Sequence, residues 1–273
     1  MSKNSSFQNS HMTIPFFKYQ GTGNDFVLID QRHQQFITRK DTATIQQFCD
    51  RKFGIGADGL MLLQQIEGYD FEMIYFNADG NESSMCGNGG RCIVAFAKYL
   101  NAIGNDCHFL AIDGAHDAKI NDLGDYVELK MIDVKQIEKG NDFYLMNTGS
   151  PHFVQFVLQM SAIDVFENGK KIRYSERFEK EGVNVNFVEE KENGIAVTTY
   201  ERGVEDETLS CGTGVTAAAI AFAQKKSQSS GTISIETKGG KLAVRLSNDG
   251  YIGYKDIWLC GAATLVFQGN INL

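Results

Sequence analysis

The sequence predicts an α+β fold built from two similar α/β half-domains. Three observations predict it. Two near-identical turns, Met85-Cys86-Gly87-Asn88-Gly89-Gly90 and Ser210-Cys211-Gly212-Thr213-Gly214-Val215, both read Cys-Gly-polar-Gly. Each runs directly into a helix-forming stretch, Arg91 to Ala97 after the first and Thr216 to Ala223 after the second. The turns lie 125 residues apart (211 − 86), close to half of the 273-residue chain. One supersecondary unit is therefore used twice, and each copy presents a thiol at a helix N-terminus.

The elements follow in order. Phe16 to Tyr19 and Phe26 to Asp30 read as strands around a Gly-rich loop. Thr42 to Arg51 reads as a helix with Asp41 as its N-cap. Leu60 to Gln64 and Phe71 to Phe76 are apolar runs of strand length. A helix starts near Gly87 and is expected to end near Gly104, glycine being a common helix stop. Strands follow at His108 to Asp113 and Tyr126 to Ile132. The second half repeats the theme with strands near Phe143 to Met146 and Phe153 to Leu158, then a helix near Ile163. A hairpin follows, Asn184 to Glu189 and Ile195 to Glu201, turning at Lys191 to Gly194. After the Cys211 helix, two strands meet at Lys238-Gly239-Gly240-Lys241. The charged stretch Val134 to Asn141 marks the boundary between the halves.

Composition excludes several function classes. Hydrophobic residues make up 42% and charged residues 22%, an ordinary globular balance. The net charge of −8 disfavours nucleic acid and anionic membrane as partners. No apolar run approaches the roughly 20 residues of a membrane-spanning helix. Residues 1–11 are polar without an apolar signal core and read as an extension or tag, with the natural start near Met12. Six cysteines with no Cys-x-x-Cys suggest neither a disulfide scaffold nor a zinc knuckle, so no metal is expected. Cys49, Cys92, Cys107 and Cys260 read as buried small hydrophobes. Free thiols at work suit a reducing cytoplasm.

The chemistry lies in the paired turns. A helix N-terminus carries unpaired N–H groups and about half a positive charge, so it favours both a thiolate and a bound carboxylate. The expectation is a Cys86 or Cys211 pKa below the free value of about 8.5. Two such ends converging on one α-carbon could remove a proton from one face and return one to the other. The plainer reading, two buried structural cysteines at glycine-rich turns, does not explain the duplication.

Further segments make the chain resemble the diaminopimelate epimerase family over about Phe16 to Ile271. They are Gly21 to Phe26, Gly54 to Gly59, Phe76 to Gly80, Pro151-His152 and Tyr200 to Gly203, together with both cysteine turns. The resemblance implies two curved mixed sheets, each wrapped around a central helix, with the site in the cleft between them. It implies half-domains of 12–133 plus 260–273 and of 134–259, the last strand, Thr264 to Gln268, returning to the first. It assigns acid and base roles to Cys86 and Cys211, and adjustment of their pKa values to His152 and Glu201. Substrate contacts fall on Asn24, Asn77, Gly87, Asn88, Asn184, Glu201, Arg202, Gly212 and Thr213. The implied reaction converts LL-diaminopimelate to the meso form without a cofactor, in bacterial lysine and peptidoglycan precursor biosynthesis, in a cytoplasmic protein often found as a homodimer. Two positions depart from patterns in the family: Ser150 stands where many members have Asn before Pro-His, and Gly59 where some have a substrate-contacting Gln.

Several of these segments also have a plainer reading. Gly54-Ile55-Gly56-Ala57-Asp58-Gly59 satisfies G-x-G-x-x-G, but a dinucleotide loop follows a strand and opens a helix, whereas here the order is reversed. His152 alone would suit a structural histidine, Glu201-Arg202 an exposed ion pair, and Asn77 to Gly80 a plain turn. A proline or hydroxyproline racemase is an alternative; those relatives usually carry His where this chain has Asn88. A cysteine hydrolase using His152 as base would leave one cysteine turn without a role.

Overall fold

In the computed structural model, which describes residues 13–248 and 253–272, one topology is traced twice. β1 (Thr13–Gly21) and β2 (Asn24–Asp30) form an antiparallel pair. α1 (Thr42–Cys49) then leads to β3 (Gly59–Gln64), parallel to β2. β4 (Phe71–Asn77) runs antiparallel to β3, and short β5 (Glu82–Ser83) folds back on it. α2 (Gly87–Tyr99) crosses to β6 (Asp106–Ala111), parallel to β4. β7 (Gly114–Ile120) and β8 (Tyr126–Lys130) follow as an antiparallel meander.

The second round repeats each step. β9 (Ile137–Lys139) pairs with β10 (Phe143–Asn147), which pairs with β11 (Pro151–Val157). α3 (Val165–Arg173) precedes β12 (Asn184–Lys191), parallel to β11, and β13 (Gly194–Glu201) returns antiparallel. β14 (Asp206–Thr208) folds back on β13 as β5 does on β4. α4 (Gly212–Lys225) crosses to β15 (Ser230–Thr237), parallel to β13. β16 (Gly240–Ser247) and β17 (Lys255–Ala262) complete the round, and β18 (Thr264–Asn272) pairs with β1 as β9 pairs with β10. The last strand thus returns to the first repeat. β17 also pairs with β8, so the two sheets join into one surface.

The apolar patterns explain the wrapping. Residues Gly87 through Ala97 of α2 are all buried, the mark of a helix enclosed on every side. Strands of its own repeat surround it, joined by β17. α4 is enclosed likewise, and its alanines let the strands come close. On β2, Phe26 and Leu28 face α2 while Val27 and Ile29 face the α1 layer, so the strand reads as an unbroken apolar run. On β12, Val188 faces the inner core, and Val185 and Phe187 pack outward with α3. By the same alternation Asn184 and Asn186 lie on the inner face.

Several boundaries differ from expectation. α1 stops at Cys49, two residues before Arg51. Asp41 does not cap it: its carboxylate instead accepts from the Thr38 N–H and hydroxyl, closing the preceding turn. α2 ends at Tyr99 rather than near Gly104, because Asn101 takes the left-handed conformation (φ 54°) that terminates a helix. β7 went unrecognised, since its sequence Gly-Ala-His-Asp-Ala-Lys-Ile is nearly all polar or small. The helix expected near Ile163 starts at Val165, with the Asp164 carboxylate capping Glu167. The Gly54 to Gly59 segment follows α1 and runs into β3, the reverse of a dinucleotide loop. Residues 1–11, read as an extension, lie outside the described residues.

Candidate active site

The fold brings the cysteine turns together. Cys86 is the extended N-cap of α2 and Cys211 that of α4. The helix starts touch through backbone: a Cβ on Gly87 would stand 3.3 Å from the Gly212 Cα, and one on Gly212 3.1 Å from the Gly87 Cα. Leu259 of β17 packs beneath both glycines. No side chain fits between these turns, so glycine at N1 of both helices is a condition of their approach.

Hydrogen bonds and burial compete over the thiols. The Gly89 N–H reaches Cys86 Sγ at 3.2 Å, and Thr213 Oγ1 lies 3.5 Å from Cys211 Sγ. Burial is the larger effect and pushes Cys86 up to about 11 and Cys211 up to about 12. The negative charge of Glu201 adds to both. The expectation of pKa values below 8.5 is therefore overturned: removing an anion from water costs more than one or two N–H donors return. Burial also raises Glu201, opposed by the Thr208 hydroxyl, which donates to its carboxylate at 2.9 Å.

Of the remaining residues, Asn24 and Asn88 reach the cysteine turns directly. Asn24 lies with its Oδ1 3.9 Å from Cys86 Sγ, and its amide donates to Asp58 at 2.6 Å. Asp58 also binds Arg51 and the Asp25 N–H, so the Gly54 to Gly59 loop serves to hold Asn24. Asn77 is exposed at the end of β4, level with Gly59 and Phe26 across three strands. The Asn88 side chain spans the two repeats, donating to the Ser210 carbonyl at 3.2 Å. Asn184 donates to Ser150 Oγ at 2.5 Å and accepts from the Arg202 N–H at 2.9 Å. Ser150 thus keeps a hydrogen-bonding role. The Arg202 guanidinium donates to the Glu181 carbonyl and, among the described residues, has no carboxylate partner.

His152 is fully buried, with Nε2 2.9 Å from Thr213 Oγ1. Burial lowers its pKa to about 3, so the ring is neutral at pH 7. This has a consequence for folding. The unfolded chain binds a proton here near pH 6.5 and the folded chain does not, so stability is complete above about 6.5 and falls as pH drops toward 3. One proton contributes a slope of at most about 1.4 kcal/mol per pH unit. Urea unfolding from pH 7 to 5 should show this slope, and His152→Gln should flatten it by one proton. An unchanged slope in the variant would contradict a buried neutral His152.

Three site residues were not singled out from sequence. Arg91 is fully buried and donates to Asn88 Oδ1 and Thr22 Oγ1 at 3.1 Å, holding the Asn88 bridge. Its place one turn after Asn88 was readable once the helix was assigned. Tyr75 fills the space beside Gly59, its hydroxyl 3.2 Å from where a Cβ would stand there, and its phenol is raised by burial and then by Cys86. Asn186 contacts His152, and its spacing of two from Asn184 on a strand was the available signal.

The comparisons agree with the twofold repeat. A family model described as diaminopimelate epimerase matches residues 16–135 and again 144–265, once per repeat. The diaminopimelate epimerase of Flavobacterium psychrophilum is 51% identical over 259 residues, covering 94% of this chain and 100% of that protein. That of Aquifex aeolicus is 36% identical, covering 95% and 98%. A Bacillus anthracis phenazine biosynthesis protein of the PhzF family shares the fold with a TM-score of 0.77 at 13% identity, covering 96% of this chain and 100% of that one. A hydroxyproline epimerase from Agrobacterium vitis does so with a TM-score of 0.66 at 14% identity, covering 96% and 93%. With both repeats matched and half of all positions identical to one member over nearly its whole length, this chain belongs to the diaminopimelate epimerase family.

Proposed function

We propose that this protein inverts one α-carbon of LL-diaminopimelate to give the meso form, Cys86 and Cys211 exchanging the α-proton from opposite faces. The observation that carries the reading is the backbone contact between the first turns of α2 and α4, each capped by a cysteine. The reacting form has one thiolate and one thiol, and burial, which raises both pKa values, makes it a minor species at pH 7. The thiolate takes the α-proton as charge moves into the carboxylate, and the opposite thiol delivers its proton to the other face. The N–H groups of Gly87 and Gly212 donate to no backbone acceptor among the described residues, so they are free to hold that carboxylate. Arg202, whose guanidinium donates to the Glu181 carbonyl and to no carboxylate among the described residues, suits the distal carboxylate of a dicarboxylic substrate. This proton chemistry needs no cofactor or metal.

The lobes 12–133 plus 260–273 and 134–259 would close on the substrate and exclude water. Among the described residues no helix is long and apolar enough to cross a membrane. We place the protein in the cytoplasm, where its thiols stay reduced, and take a homodimer as its assembly.

Reaction in deuterated water tests the proposal. LL-diaminopimelate should gain deuterium at one α-carbon as meso product forms, and proline or 4-hydroxyproline should gain none. Exchange into proline instead would favour the racemase alternative, and hydrolysis without exchange would favour the cysteine hydrolase.

A further inference from the structure

Two buried polar side chains beneath the Cys211 turn have no part in the proton transfer described above. Asn186 of β12 and Thr199 of β13 face each other in register, 0% and 3% exposed. The Thr199 hydroxyl donates to Asn186 Oδ1 at 2.9 Å, which orients the amide. Its Nδ2 lies 3.0 Å from the Phe153 carbonyl and 3.1 Å from His152 Nδ1. An amide NH2 only donates, so Nδ1 must accept, and the neutral ring carries its hydrogen on Nε2. That N–H donates to Thr213 Oγ1 at 2.9 Å. The single Thr213 hydroxyl hydrogen is then left for Cys211 Sγ, 3.5 Å away. The first turn of α4 rests on this pair: a Cβ on Gly214 would fall 2.4 Å from Asn186 Oδ1 and 3.1 Å from Thr199 Oγ1.

We infer that Asn186, held by Thr199, is a positioning residue for the Cys211 thiolate: it sets the His152 tautomer that commits the Thr213 hydroxyl hydrogen to Cys211. Every donor in the line Thr199, Asn186, His152, Thr213 points toward Cys211, and a thiolate at its end only accepts. With the other tautomer, Nε2 would accept the Thr213 hydrogen and Cys211 would lose that donor. The inference rests on Cys211 being one of the two proton carriers, but its tests read the tautomer and the thiol directly.

Nitrogen NMR of the labelled wild-type protein, with His152→Gln to identify the signals, should show His152 protonated on Nε2. Protonation on Nδ1 would overturn the inference without any variant at Asn186. Asn186→Asp puts an acceptor opposite Nδ1 and should reverse the tautomer. Iodoacetamide alkylation at a fixed pH of about 8, read per cysteine by peptide mass spectrometry, should then slow about ten- to hundredfold at Cys211, the loss of one hydrogen bond to a charged group. Cys86 should be unaffected. The titratable groups that raise Cys211, Glu201 and Cys86, are the same in both proteins, as is Arg202, which acts on His152. The new carboxylate could act directly on Cys211, and a double-mutant cycle separates this. In a His152→Gln background, Asn186→Asp should slow Cys211 little further. Additive losses, or equal slowing of both cysteines, would overturn the inference. Loss of epimerisation by Asn186→Asp with Cys211 reactivity unchanged would do so too. Epimerisation that survives Cys211→Ala would instead sink the two-thiol reading.

Discussion

Replacing Cys86 or Cys211 by alanine is expected to abolish epimerisation, each by at least the 10²–10⁴-fold typical of a lost general acid or base. The double variant should be scarcely worse than either single one, because each direction of reaction needs both groups. The single variants should differ in what they retain. One remaining thiolate still faces the α-hydrogen of one stereoisomer, and deuterium wash-in from solvent, measured with LL- and meso-diaminopimelate separately, should reveal it. Cys86→Ala and Cys211→Ala should favour opposite stereocentres. Cys49, Cys92, Cys107 and Cys260 are buried and cap neither helix, and their replacement by alanine should cost stability rather than chemistry. More than about a hundredth of wild-type epimerisation in either turn variant would defeat the two-thiol mechanism.

Gly87→Ala is expected to cost about 10²-fold in kcat, as a displacement near 1 Å can in a preorganised site. The added methyl would meet Leu259 Cδ2 at 2.6 Å and the Gly212 Cα at 3.3 Å. Leucine can yield, but the opposing backbone of α4 cannot move without taking Cys211 with it. Gly87→Ala with Leu259→Ala should therefore regain stability, measured by urea unfolding, without regaining full kcat. Gly212→Ala should behave alike, since its methyl would stand 3.0 Å from Leu259 and 3.1 Å from the Gly87 Cα. Full activity in both glycine variants would show that the close approach of the turns has no catalytic use.

The repeat, the helix that follows each cysteine and most strands were legible in the chain, because each depends on residues within one or two turns of one another. Cys86 and Cys211 could be placed at helix N-termini for the same reason, since an N-cap is a local feature. The misplacements also have local causes: Asn101 ended α2 in place of Gly104, and the polar β7 carried no apolar alternation. The family relationship rested on short motifs, which survive as contiguous strings.

Tertiary structure decided what depends on residues far apart in the chain. Sequence alone placed a thiol at the positive end of a helix and so pointed to a low pKa. The fold buries both thiols and sets Glu201 beside them, which raises their pKa values instead, because desolvation sums over neighbours from every surrounding element. Asn88 was legible as a site residue, but its use as a bridge to Ser210 required the second repeat to be in place. The neutral state of His152 and its bonds to Asn186 and Thr213 came from three separate elements. The sequence by itself determined which groups stand at the helix ends; packing alone determined their protonation and which of them meet.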